Sequence, residues 1–562
     1  MGEHHFAFWP EGVPRRLDPP AHPIHANLAR TAERVPDACA ISYYGTRISY
    51  RELAHDVERL AGYLQRELGV KCGDRVPLVM QNSPHFVIAY YAILRADAVV
   101  VPLSPLLKSD DLARIVTELD ARVMIAGREQ AASIAALLEA GCIQTALLAT
   151  YADRVRAEQV PDGLRLPAAA DPAAVLPALG AGMVDLAEAM RAGLMPGPSV
   201  ATPDDLAVIP YTSGSTGESR GCLHTHRTVQ SNIHAYAQWN PMDETTVVLG
   251  VLPFFHVTGM QAVMNACILT GACNAIMTRW DADAALLLTE HERIGQWRLI
   301  TTMLIDLMSR PGFTSERLRS VKRIGGGGAA MPEALAKRLH EVTGLDYVEG
   351  YGLSETMAAT HINPFHRAKR QCLGIPFIGV ESLVIDPQTG AELPDGEVGE
   401  IIIRGPQVFS GYWKKPELTA AAFIEIGGKR YFRSGDLGYV DTDGYYFIVD
   451  RVKRMVNASG FKIWPAEIEA LLHAHPVVSE ACVVAIPDAR RGETAKAVIV
   501  PKAGQAPIDV AELKTWLAAR LSAYKVPTAY ALVTELPRLA SGKVDWRRVQ
   551  EAERRQMEGQ GS

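Results

Sequence analysis

The sequence has no CxxC pair and no Cys/His set at zinc spacing. Its eight cysteines, Cys39, Cys72, Cys142, Cys222, Cys267, Cys273, Cys372 and Cys482, are scattered, so neither a disulfide framework nor a thiolate metal site is expected, and a reducing compartment fits best. A basic start followed by an apolar run is also missing. The N-terminus reads MGEHHFAFWPEGVPRRL, and Phe6 departs from the myristoylation pattern, so no targeting signal is visible and a cytoplasmic location is expected. The longest stretch without Asp, Glu, Lys or Arg, from Thr245 to Thr278, is cut by Pro253, His256, Gly259 and Gly271 and carries Asn265 and Asn274. Buried strands and a helix are expected there, not a transmembrane segment. Charge of one sign is scarce as well. A formal balance of −6 gives no reason to expect nucleic acid or an acidic membrane surface as partner.

The 562 residues that remain to be explained are 48% hydrophobic and 21% charged, enough for two or more packed units and incompatible with wholesale disorder. From Ile48 to about Ala149, helical stretches such as YRELAHDVERLAGYLQREL alternate with apolar runs such as RVPLVM and AVVVPL. That rhythm predicts an α/β unit with a mainly parallel sheet. Residues 154–205, rich in Ala, Pro and Gly, read as a loosely structured connection. A second α/β stretch runs from Leu206 to about His361, and short strands (ESLVID, GEIIIRG, GYYFIVD) predict a small β-rich unit from Gly379 to Val449. After Arg451 helices and strands alternate again over about 110 residues, a compact α+β domain.

The strand LAVIPY leads into Thr212, Ser213, Gly214, Ser215, Thr216, Gly217, Glu218, Ser219, Arg220 and Gly221. Glycines let backbone N–H groups approach phosphate, hydroxyls add donors and Arg220 supplies charge-assisted bonds, so the loop suits a triphosphate. It does not follow the Walker pattern, and a loop of this kind standing alone is as readily a polar surface turn. Gly350-Tyr351-Gly352-Leu353-Ser354-Glu355-Thr356 resembles a dinucleotide fingerprint until Glu355 occupies the third glycine position. A carboxylate there suits a magnesium ion bridging phosphates, and Tyr351 can stack on a flat base. Asp436, in YFRSGD, can accept from ribose hydroxyls. Asp450-Arg451 ends a further strand. Lys543, in LASGKV, is a single ammonium of the kind that meets charge on a transferring phosphoryl group. Each of these alone is more often a solvated surface group.

Taken in order, these segments resemble the adenylate-forming superfamily of acyl-CoA synthetases, luciferases and peptide-synthetase adenylation domains, from about Ile41 to Val549. VEGYGLSET, the Asn363-Pro364 that follows, GPQVFSGYWKKPELT, FIVDRVKRMVNASGF and YKVP look most like bacterial medium- and long-chain fatty acid:CoA ligases. The resemblance implies a large N-terminal domain, residues 1–451, of α/β subdomains plus a β-rich one, and a small mobile α+β domain, residues 452–562. ATP phosphates would be held by Thr212 to Arg220, and magnesium by Thr212 and Glu355. Glu349 to Thr356 would contact adenine and the α-phosphate, and Asp436 and Arg451 the ribose. Lys453 matches the hinge, Ser459-Gly460-Phe461 the passage of the coenzyme A arm, and Lys543 the adenylation lysine. His256 in LPFFHVTGM falls at the junction of acyl pocket and α-phosphate; a lone His among apolar residues is more often a satisfied core residue, so positioning is its assigned role. Ser219-Arg220 replaces the usual Pro-Lys, which keeps the charge with a different donor geometry. Gly325 to Gly328, where the family lines the adenine and acyl pocket, reads as a roomy pocket or a flexible turn, with the turn preferred.

The implied reaction is attack of a small-molecule carboxylic acid on the α-phosphate of ATP, release of pyrophosphate, and transfer of the acyl group to coenzyme A after the small domain turns about Lys453. A homodimer is a family-level expectation. Phe254, Phe255, Val257, Met260, Met303, Leu304 and Ile305 predict an apolar acid pocket, and neither of their segments brings a Lys or Arg for a second carboxylate. An aliphatic acid of medium or long chain follows. Alternatives are an aryl or cinnamate-type acid, an enzyme loading a separate carrier protein, and a non-catalytic nucleotide-binding regulator.

Overall fold

A computed structural model describes residues 4–213, 219–327, 331–458, 461–488, 490–502, 508–538 and 544–560. The chain divides into two compact units, one of residues 1–382, 403–432 and 443–445, the other of residues 383–402, 433–442 and 446–562. The expected boundary at Arg451 concerns where the chain pivots, which this division does not address.

The first unit holds two α/β sheets, as the alternating helical and apolar stretches predict. One has seven strands, with Arg75–Val79 central, Val99–Leu103, Leu206–Val208 and His224–Thr225 to one side, and Val123–Gly127, Thr145–Ala149 and Met183–Asp185 to the other. All its pairings are parallel except that of His224–Thr225. The other has nine strands. Its parallel centre, Cys39–Tyr43, Cys273–Ile276, Val247–Gly250, Gln296–Arg298, Arg323–Gly327 and Tyr347–Leu353, is edged by antiparallel Thr46–Ser49 on one side and Ala358–Ile362 on the other.

Local sequence explains the helices. Tyr50–Arg66 starts on a capping box between Ser49 and Glu52 and buries Leu53, Val57, Leu60 and Leu64 at three- and four-residue spacing. Pro84–Arg95 is apolar on every side and buried throughout all but its last residue, the signature of a helix inside a core. Thr245 to Thr278 forms strands and helices as expected, and among the described residues no helix is long and apolar enough to cross a membrane.

Two expectations are corrected. The 154–205 connection is not wholly loose: Met183–Asp185 extends the seven-stranded sheet, and Asp185 caps the helix Leu186–Arg191 by accepting from the N–H groups of Ala187 and Glu188. The glycine run is not a turn over its described part either. Gly325, Gly326 and Gly327 lie in the strand Arg323–Gly327, where a Cβ on Gly326 would stand 1.9 Å from the Leu299 carbonyl oxygen and 2.5 Å from the Tyr347 hydroxyl. Glycine is used here for close backbone approach, not for freedom.

The predicted β-rich region is a five-stranded sheet of Glu381–Ile385, Gly399–Arg404, Lys429–Val440, Phe423–Ile426 and Tyr446–Arg451, which contributes residues to both units. The second unit also carries the predicted α+β fold. Strands Phe461–Ile463, Val456–Ala458, Gly492–Pro501 and Val478–Asp488 form a sheet with Ala529–Leu532, and the helices Pro465–Ala474 and Val510–Ala518 bury Ile468, Leu472, Leu513 and Leu517 against Val483 and Ile499.

Candidate active site

In the first unit the phosphate-loop motif is stemmed by a short hairpin. Tyr211–Ser213 pairs antiparallel with Ser219–Gly221, and Arg220 stands directly opposite Thr212. At 221 a Cβ would come within 2.6 Å of the Ile209 side chain, so glycine allows this close approach. Gly214, Ser215, Thr216 and Gly217, and the side chain of Ser213, lie outside the described residues.

The next stretch of this hairpin is stitched to residues 410–413. Leu223 donates its N–H to the Gly411 carbonyl, Trp413 donates to Gly221, Ser410 to Leu223, and Cys222 and Tyr412 form an isolated antiparallel bridge. This ladder delivers Tyr412, whose hydroxyl donates to Glu355 Oε1 at 2.8 Å while the Arg220 guanidinium carbon lies 5.6 Å from the centre of its ring. The Phe409 N–H holds the main-chain carbonyl of Glu355 at 2.8 Å. Arg220, Tyr412 and Glu355 therefore form one connected group. Burial and the neighbouring Glu355 carboxylate hold the Tyr412 phenol well above its ordinary pKa, so it stays a donor.

The motif around Glu355 is shaped by its own backbone. Tyr347–Leu353 pairs with Ala358–Ile362 through a register shift between Tyr351 and Gly352. A Cβ on Gly352 would stand 1.7 Å from the Ala358 carbonyl oxygen, and one on Gly350 3.3 Å from that of His361. Ser354–Thr356 is a 3-10 turn in which Thr356 Oγ1 accepts from the Leu353 N–H and donates to the Ala358 carbonyl. Its hydroxyl serves the turn. Glu349 is also engaged: its buried carboxylate accepts from the N–H groups of Met331 at 2.6 Å and Cys372 at 2.8 Å. Tyr351 is half-buried, its ring 5.8 Å from that of His361.

His224, three residues beyond Gly221, props the Glu355 turn. Its Nε2 lies 2.7 Å from the Ser354 carbonyl oxygen, which can only accept, so Nε2 carries the proton. Burial pushes its pKa down to about 4, and it is a neutral prop under the turn that carries Glu355.

His256 is exposed, not a core residue. It caps the short helix Val257–Gly259, with Nδ1 facing the Thr258 N–H at 3.4 Å. Around it Phe254, Val257 and Met260 are buried and Phe255 is half-buried, while Asn82 fixes the loop by accepting from the Phe254 N–H and donating to the Gly250 and Leu252 carbonyls. Leu304 is buried and Met303 half-buried, but Ile305 is 41% exposed, contrary to its expected place in the apolar pocket.

In the second unit Asp436 and Arg451 occupy facing positions on adjacent strands, with Nε 3.0 Å from Oδ1. Asp436 is buried and Arg451 exposed. Lys453 lies in the 3-10 turn Val452–Arg454; its side chain, Gly460 and Lys543 lie outside the described residues.

The donor set of the first unit, one carboxylate and one hydroxyl with a guanidinium opposite, suits a hard cation shared with phosphate oxygens. Among the described residues no group of three or more His, Cys, Asp or Glu converges as a metal cage. Sequence reasoning gave no role to Tyr412 or His224; the first lies inside the segment GPQVFSGYWKKPELT and the second just after the phosphate loop, and only pairing across 190 residues of chain reveals what Tyr412 meets.

Residues 28–413 match the AMP-binding enzyme family and residues 467–543 the AMP-binding enzyme C-terminal domain. The chain is 33% identical over 564 residues to a long-chain-fatty-acid–CoA ligase of Bacillus subtilis, covering 97% of each chain. It is 34% identical over 519 residues to a feruloyl-CoA synthase of an Amycolatopsis species, covering 92% of this chain and 96% of that one. An ATP-bound MatB from Rhodopseudomonas palustris superposes with a TM-score of 0.81 at 28% identity, over 94% of this chain and 99% of that one. With its phosphate hairpin, Glu355 turn and C-terminal α+β domain, this chain belongs to the AMP-binding enzyme family, among the AMP-forming acid–CoA ligases.

Proposed function

We propose that this enzyme converts a medium- or long-chain fatty acid to its acyl-adenylate and then to its coenzyme A thioester. The connected group Arg220, Tyr412 and Glu355, opposite Thr212 at the stem of the phosphate loop, is the observation that most supports this reading. In it, the loop from Thr212 to Arg220 binds the phosphates of ATP, and Glu349 and Thr356 shape the strand and turn that present Gly350, Tyr351, Gly352 and Ser354 to adenine and the α-phosphate. Thr212 and Glu355 would hold Mg2+, which supplies neutralisation of phosphate charge when bound. The acid enters beside His256 and lies along Phe254, Val257 and Met260. Its carboxylate attacks the α-phosphate and pyrophosphate leaves, with Arg220 and Lys543 meeting the charge that develops.

Asp436 and Arg451 take the ribose. The segment from residue 452 then turns about Lys453, withdrawing Lys543 and bringing Ser459-Gly460-Phe461 to the coenzyme A arm; the thiol attacks the acyl carbonyl and AMP leaves. Separating the two steps by domain motion lets one pocket serve both. The 34% identity to a feruloyl-CoA synthase gives an aryl acid the next claim. Pyrophosphate release and coenzyme A consumption, read over acids from acetate to palmitate with benzoate and coumarate, test both. Coumarate outrunning every fatty acid would replace the aliphatic reading, and no pyrophosphate with any acid would remove the ligase reading altogether.

A further inference from the structure

Two neighbouring arginines of the nine-stranded sheet have no carboxylate beside them among the described residues. Arg298 ends the strand Gln296–Arg298, and Arg323 begins the neighbouring strand. The parallel register sets Gln296 beside Arg323 and Arg298 beside Gly325, so all four point to one face of the sheet. Arg298 is only 5% exposed and Arg323 is half-buried. Their company is neutral: Arg298 donates at 3.0 Å to Asn240 Oδ1 and to Gln296 Oε1, and both guanidiniums lie over the Phe365 ring, at 6.0 Å for Arg298 and 4.8 Å for Arg323. Neither pairs with a described carboxylate. Arg298 Nε and one Nη of Arg323 are buried without an acceptor.

Buried guanidiniums ordinarily have anions beside them, because removing such a charge from water is costly unless it is paired. Here the two cations oppose each other: burial, then the nearby Arg298, lower the Arg323 pKa. Asn240 sits at the carboxyl end of the helix His226–Trp239, whose dipole offsets part of one charge. The remainder has no counterpart among the described residues.

The position bears on the acid. Arg298 stands three residues before the helix Thr301–Ser309, which carries Met303 and Leu304. A Cβ on Gly325 would reach within 2.9 Å of its guanidinium, so the glycine strand admits the arginine to this layer. Gly325 in turn pairs with Val348, on the strand that ends at the Ser354–Thr356 turn. At about 3.3 Å of rise per residue, Val348 lies roughly 20 Å along the strand from Ser354, the span of an extended acid of about sixteen carbons at roughly 1.3 Å per bond, less what the arginine side chains reach back, so the arginines are placed for the far end of a long acid whose carboxylate reacts beside that turn.

We propose that Arg298 and Arg323 form a receptor for a second carboxylate at the distal end of the acid, making long-chain α,ω-dicarboxylic acids preferred substrates. This rests on the ligase reading above and revises its premise that nothing beside the pocket would pair with a second carboxylate. The middle of such an acid is a hydrocarbon chain, which the apolar wall accepts as it would a fatty acid.

The test compares matched acids: decanoate with sebacate, dodecanoate with dodecanedioate, tetradecanoate with tetradecanedioate, hexadecanoate with hexadecanedioate, each by kcat/KM for pyrophosphate release. At one or more lengths the diacid should exceed the monoacid by about tenfold or more, the worth of charge-assisted hydrogen bonds. Arg298→Met should erase that advantage while leaving the monoacid within about threefold, since exchanging an unpaired buried charge for an apolar chain is tolerated. Arg323→Met supplies a second variant should the first fold poorly. Wild-type preference for the monoacid at every length would overturn the proposal, as would equal loss on both acids in either folded variant. Thermal stabilisation by inorganic phosphate or chloride but by no diacid would mark a structural anion site and equally overturn it. Absence of pyrophosphate with all eight acids would instead count against the ligase reading.

Discussion

Removing one oxygen atom, by Tyr412→Phe, isolates the hydrogen bond that ties the phosphate hairpin to Glu355. The ring contacts survive: Phe409 lies 4.8 Å away edge-on and Arg220 faces the ring at 5.6 Å. What is lost is a 2.8 Å bond from a hydroxyl to a carboxylate, at a residue only 9% exposed, where water is a poor replacement. A hydrogen bond to a charged group contributes about 1.5–3 kcal/mol, which corresponds to a factor of roughly ten to a hundred and fifty. If the bond orients Glu355 for magnesium, that factor falls on the magnesium concentration giving half-maximal pyrophosphate release. The KM for the acid should change little, and thioester formation from supplied acyl-adenylate should stay near wild type. The assay is a magnesium titration of pyrophosphate release at saturating ATP and acid. An unchanged magnesium midpoint with normal turnover would refute the role given to Tyr412 and weaken that of Glu355.

Lys543→Ala should lower adenylation by about a hundredfold, the worth of one charge-stabilising donor, while thioester formation from supplied acyl-adenylate survives; equal loss in both half-reactions would make the lysine structural. Lys453→Pro should do the reverse, because proline resists the backbone rotation a hinge absorbs, and wild-type rates in both half-reactions would remove the hinge. Gly326→Ala should lower the thermal midpoint and the folded yield, since its methyl would overlap the Leu299 carbonyl; a folded variant of wild-type stability would contradict the strand geometry. Acid should destabilise the fold. Burial pushes His224, His226, His25 and His234 down to about 4 and His85 and His361 to about 3, so below pH 6.5 the unfolded chain binds protons that the folded one refuses. Stability then falls with falling pH through that window, by roughly 3 kcal/mol for His224 alone. A thermal midpoint that is flat from pH 7 to pH 4.5 would show these histidines are not held neutral.

The class and order of elements were legible because period and punctuation are local properties: Ser49 and Glu52 announce a helix start, and RVPLVM a buried strand. The motifs were legible for the same reason, each being a few consecutive residues. What connects them was not. Tyr412 reaches Glu355 only through a ladder between residues 221–223 and 410–413, and His224 meets Ser354 across 130 positions of sequence. The glycine run misled because a turn and a tight strand use the same residue for opposite reasons, and only the Leu299 carbonyl beside Gly326 distinguishes them. Arg298 drew no reading from sequence because it falls just outside the apolar segment that follows it.

The crowded glycine strand also constrains how this enzyme can change. A layer with no side chains and no room for one offers natural variation nothing to alter, since almost any codon change at Gly326 strikes backbone. On the proposed reading, shifts in acid preference come from residues facing the strand, among them Arg298, against Gly325, and Arg323, whose exchange alters charge without altering the backbone path. A library that randomises the glycines should yield mostly unfolded protein, whereas one that randomises Arg298, Arg323 and Phe365 should yield folded enzymes of differing appetite.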